Sequence, residues 1–117
     1  IANGVLDLIS IANNTNSGEG TWHDKKKSEV VILVPPILGK LSTNESWINY
    51  KEWIGAFEKS KKLNEFYKDI CRERRIELID TNEFIVSSEN DPIHWSKKTH
   101  KEFGEILAKI FAKKIKP

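Results

Sequence analysis

Residues Glu29 to Val34 make a β-branched, apolar run without alternation, and Pro35 with Pro36 closes it. A strand with one wet face alternates apolar and polar residues, so this run predicts a strand covered on both faces, as in a parallel sheet. Parallel strands cannot be joined by a tight turn and need a long, usually helical, crossover. The next two segments have that order. Trp53, Phe57, Leu63, Phe66, Tyr67 and Ile70 mark a long helix with lysine and glutamate on its other face, ending in the charged run Arg72 to Arg75. Ile76, Leu78 and Ile79 then predict a short strand ending at Asp80, which completes a βαβ rhythm and an α/β fold.

Two further helices flank this unit. Val5, Leu6, Leu8, Ile9 and Ala12 recur at intervals of three and four, which predicts a helix with one buried face ending by Asn13 and Asn14. Phe103, Ile106, Leu107, Ile110 and Phe111 give a C-terminal helix its apolar stripe, with Ser96 as N-cap. Asn13 to Ser28 is polar, with Gly18, Gly20 and Lys25 to Lys27, and reads as an exposed loop. Ile37 to Tyr50 reads as a loop able to hold a short helix. It leaves the C-terminal end of a strand, where ligands bind in open α/β sheets.

Bulk properties bound the function. At 117 residues with 38% hydrophobic content the chain is one domain. Its longest apolar run, Val30 to Leu38, is far short of the roughly 20 residues that cross a bilayer, so no membrane span is expected. Nineteen basic and seventeen acidic residues leave a net charge of +2, interleaved along helices, which offers no footprint for nucleic acid. The single Cys71 cannot close an intramolecular disulfide and fits a small buried hydrophobe. The chain opens with Ile1 rather than Met, so the native start is expected upstream. Without a leader the cytoplasm is the default, but the compartment cannot be read from this end.

One turn looks built for chemistry. Asp91, Pro92, Ile93 and His94 precede the last helix, and a carboxylate three residues ahead of an imidazole can fold back to accept the Nδ1 proton. Nε2 is then left outward as a general base. A hydroxyl nucleophile needs such a base, and the base needs a carboxylate to orient it and stabilise its cationic form. Ser96 is explained by capping, and Ser42 and Ser46 lack the flanking residues of a nucleophile turn. His23 and His100 read as surface residues. Metal binding would need a third convergent ligand, for which Asp80 is the one neighbour to consider. Trp47 and Trp95 are candidate substrate-binding residues, and Ile48 and Trp53 could join Trp47 in walling a cleft; core packing explains them equally well.

In order, Val30 to Leu38 (VVILVPPIL), Ile76 to Asp80 (IELID) and Asp91 to Ser96 (DPIHWS) resemble the second half of an SGNH, or Gly-Asp-Ser-Leu, hydrolase, with the closest likeness to the arylesterase and acyl-thioesterase-like branch. The resemblance implies a partial flavodoxin-like three-layer α/β/α sandwich of two parallel strands and about three helices, residues 1–117 being the C-terminal part of one hydrolase domain. It implies ester or thioester hydrolysis through an acyl-serine, with Asp91 and His94 as catalytic acid and base and no cofactor. Pro92 stands where the family commonly has glycine. The Gly-Asp-Ser block and the later oxyanion-hole blocks have no counterpart here, so a small ester or thioester substrate and an N-terminal half or companion chain are the expected partners, with an oligomer possible. The first strand's outer edge should then be covered by a companion chain, a symmetry-related copy or residues outside this sequence. The alternative is an inactive half-domain that binds a partner through that edge.

Overall fold

The protein is described by a computed structural model covering residues 2–15 and 29–114. Helix α1 (Ala2–Asn14) precedes strand β1 (Val31–Val34), helix α2 (Ala56–Arg74), strand β2 (Glu77–Asp80) and helix α3 (Lys97–Ala112). The two strands pair in parallel, with Val31 opposite Glu77 and Val34 opposite Asp80, and α2 is the crossover between them. Most of the predicted loop, with His23 and Lys25 to Lys27, lies outside the described residues.

The long helix starts later than its apolar pattern predicts. Trp53 closes a 3₁₀ turn (Tyr50–Trp53), and α2 begins after Gly55, whose φ of 75° is the left-handed conformation that favours glycine. A second 3₁₀ turn, Lys40–Thr43, is the short helix allowed for in the preceding loop. At its other end α2 stops at Arg75, also left-handed at φ 55°, and the amide of Ile76 returns to the carbonyl of Cys71 at 2.9 Å.

Ile9, Val34, Tyr67, Cys71, Ile79, Ile85 and Phe103 form the core, so α1, both strands, α2 and α3 all contribute to it. Three expectations of burial are corrected. The α1 stripe divides: Ile9 is buried while Leu8 is 66% exposed, because the helix packs on α2 along only part of that face. Phe66 of α2 is exposed rather than buried, at the edge of a groove instead of under the sheet. Val34 is fully covered, yet Leu33 is 36% exposed, so one face of β1 is only partly covered. No strand pairs with its outer edge among the described residues. A two-stranded sheet has too little width to shield both faces of both strands.

Helix α3 is held at both ends. Ser96 Oγ accepts the amide of Thr99 at 3.1 Å, and Lys114, just past the helix, forms an ion pair with Glu77 of β2. Among the described residues no helix is long and apolar enough to cross a membrane.

Candidate active site

Asp91 folds back on the two residues that follow Pro92. Its Oδ1 accepts the amides of Ile93 at 2.9 Å and His94 at 3.0 Å, while Oδ2 lies 2.8 Å from His94 Nδ1. One short side chain thereby shapes the turn and engages the ring, as an Asx turn permits. Those contacts also tune its charge. The amide of His94, then that of Ile93, then the imidazole hold the Asp91 carboxyl down to about 2, so it stays ionised through the neutral range. The His94 side chain is 77% exposed. With Nδ1 occupied by the carboxylate, the proton is assigned to Nδ1, and Nε2 is the nitrogen open to an incoming group.

The turn is fixed to the body through its second residue. Pro92 is fully buried, and its carbonyl accepts the amide of Gly39 at 2.9 Å. The ring of proline sets φ near −65°, which suits a turn. Close approach explains the glycine. A Cβ at position 39 would sit 3.0 Å from Pro92 Cα and 2.3 Å from Ser87 Oγ.

Gly39 ends a five-residue strap, Pro35 to Gly39, that leaves β1. The two prolines have no amide hydrogen, so only Ile37 and Leu38 can donate before Gly39 does. Ile37 donates to Asn82 Oδ1 at 2.7 Å and Leu38 to Ser60 Oγ at 3.1 Å. Asn82 is held in turn by Asp80, whose Oδ1 accepts its amide at 3.1 Å and its Nδ2 at 2.8 Å. Lys68 Nζ lies 2.5 Å from the other Asp80 oxygen. Partial burial works to raise the Asp80 carboxyl, but Lys68, Asn82 and Asn64 outweigh it and hold it at about 2. Asp80 is thus committed to an internal network. Among the described residues there is no group of three or more His, Cys, Asp or Glu placed to hold a metal.

Two solved esterases share this arrangement of elements. Est24, a carbohydrate acetylesterase from Sinorhizobium meliloti, superposes over 96% of this chain with a TM-score of 0.74 and 28% identity, using 50% of its own length. The M. smegmatis aryl esterase superposes over 97% with a TM-score of 0.75 and 21% identity, again using 50% of its length. The chain has the SGNH hydrolase fold. It spans about half the length of these two enzymes, in agreement with the C-terminal portion that the motif order implies. No protein-family model and no curated protein matches it.

On this SGNH hydrolase fold the remaining candidates fall in different places. Trp95 packs on α3, its ring centroid 5.4 Å from Phe103 in an edge-on arrangement and 5.0 Å from His100. Trp47 is half-buried in the turn between the two 3₁₀ segments, its amide donating to Asn44. Trp53 lines an apolar groove of about 860 Å³ with Leu6, Pro35, Pro36, Leu38 and Phe66, whereas Ile48 is 93% exposed. Ser42 is buried with Oγ donating to the carbonyl of Gly39, and Cys71 is buried, which pushes its thiol up. Gly39, Ser60 and Asn82 escaped the sequence reading. The double proline was the available signal: a segment stripped of its own amides must be anchored from outside.

Proposed function

We propose that this chain supplies the acid and base of an esterase triad, acting on a carboxylic ester or thioester through an acyl-serine. The observation that carries the reading is the 2.8 Å contact between Asp91 Oδ2 and the Nδ1 of a largely exposed His94. In this reading a serine hydroxyl, supplied by polypeptide outside these residues, gives its proton to His94 Nε2 as it attacks the carbonyl carbon. Asp91 stabilises the resulting imidazolium. The ring then returns the proton to the leaving alkoxide or thiolate, and water repeats the sequence to free the acid and regenerate the serine. The two solved structures compared above are esterases, which supports this reaction class. Trp47 and Trp95 are the proposed substrate-contacting residues.

The test is a chimera placing the N-terminal half of the Sinorhizobium meliloti esterase ahead of this chain, assayed with p-nitrophenyl acetate. His94→Ala should lower turnover by about 10²–10⁴-fold, the usual value of a positioned base. Equal turnover in parent and variant would remove the catalytic assignment. Among the described residues no strand pairs with the outer edge of β1, which favours a second reading, a non-catalytic half-domain that pairs with a partner strand. Assembly of the two halves without turnover would select it.

A further inference from the structure

We propose that Asn82 and Ser60 are positioning residues that set the Asp91–His94 pair at a distance, by fixing the strap on which its turn rests. The inference rests on the reading of Asp91 and His94 as acid and base. Neither Asn82 nor Ser60 is within hydrogen-bonding contact of the pair. Each instead anchors one of the two amides that the strap can offer ahead of Gly39: Ile37 on Asn82 and Leu38 on Ser60. Next along the chain, the amide of Gly39 carries the carbonyl of Pro92.

The anchors are themselves held. Asn82 Nδ2 is spent on Asp80, which orients its Oδ1 towards Ile37, and Ser60 Oγ donates to the carbonyl of Phe57 at 2.7 Å, which turns a lone pair towards Leu38. One anchor follows the end of β2 and the other belongs to α2. The strap is thus referred to both the strand end and the crossover helix. A hydrogen bond of 2.8 Å between Asp91 and His94 tolerates little lateral drift before it weakens, so movement of Pro92 with the strap would reach the ring.

The experiment reads the ring rather than activity. In the ¹⁵N-labelled full chain at alkaline pH, long-range ¹H–¹⁵N correlations report the ratio of Nδ1–H to Nε2–H forms of His94, whose signals are identified by their loss in His94→Gln. Asn82→Ala and Ser60→Ala should each lower that ratio by about fivefold, the population change that a hydrogen bond of ordinary net strength represents. Ile110→Val, which removes a methylene from α3 far along the chain from the strap, should lower thermal stability and leave the ratio unchanged. The proposal is overturned if the folded anchor variants keep the parent ratio, or if Ile110→Val shifts it equally. Should Asn82→Ala fail to fold, Ser60→Ala decides alone. Loss of the esterase reading, by an active His94→Ala chimera, would leave the tautomer result standing, so the two failures are separable.

Discussion

The amide of Gly39 and the carbonyl of Pro92 meet at 2.9 Å, joining the strap after β1 to the turn that holds Asp91 and His94 across more than fifty residues of chain. The contact exists because neither partner brings bulk to it: glycine has no Cβ, and the proline ring is turned into the core.

Gly39→Ala should therefore be costly although its φ is ordinary at −67°. The added methyl meets Pro92 Cα and Ser87 Oγ, and since backbone cannot yield as a side chain does, the turn must move. We expect a loss of about 1–3 kcal/mol, the range for overpacking a filled site, measured by urea denaturation. Unchanged stability would mean that the strap and turn separate freely.

Asp91→Asn keeps the shape of the side chain and can still accept the two turn amides through its carbonyl oxygen. It loses the charge that stabilises the imidazolium. In the esterase chimera kcat should fall by about 10²–10⁴-fold with KM little changed. Because the Asp91 carboxyl is held down to about 2, any loss of turnover between neutral pH and about pH 4 is not protonation of this carboxylate. A variant with parent kcat would exclude the orienting role.

Asp80 predicts acid sensitivity of the fold. Its folded value of about 2 lies below the ordinary 3.8, so its contribution is present above that ordinary value and is lost as pH falls through the folded one. Thermal melts across this window should show the parent losing stability and Asp80→Asn losing less of it. At neutral pH Asp80→Ala should cost about 1–3 kcal/mol, since the amide and side-chain donors of Asn82 lose their acceptor. Parallel acid titrations of parent and Asp80→Asn would count against the network.

Arg75 offers a gain. It holds a left-handed conformation at the end of α2 and is exposed, with its backbone amide rather than its guanidinium closing the helix. Arg75→Gly removes a Cβ penalty of about 1 kcal/mol. For a domain of this size that should raise Tm by a few degrees in a thermal melt, whereas an unchanged or lower Tm would show that the arginine stem packs usefully there.

Strands β1 and β2, helices α1, α2 and α3, the Ser96 cap and the Asp91–His94 turn were legible from local pattern. These features depend on neighbours a few residues apart: an unbroken β-branched run, a period of three to four, a carboxylate three positions before an imidazole. The late start of α2 was not, since Trp53 fits the helical spacing and only the left-handed Gly55 shows that the helix has yet to begin.

Contacts between distant segments decided the rest. Linear order alone cannot say that Leu8 and Phe66 look outward while Ile9 and Tyr67 look in, because each lies on an apolar stripe and only packing selects the part of it that finds a neighbour. Nor could it pair Ile37 with Asn82 or Gly39 with Pro92, residues joined by bonds that close only after α2 has carried β2 alongside β1. A chemical pair can be written into four consecutive residues. Where that pair stands depends on bonds between parts of the chain that meet only once it has folded.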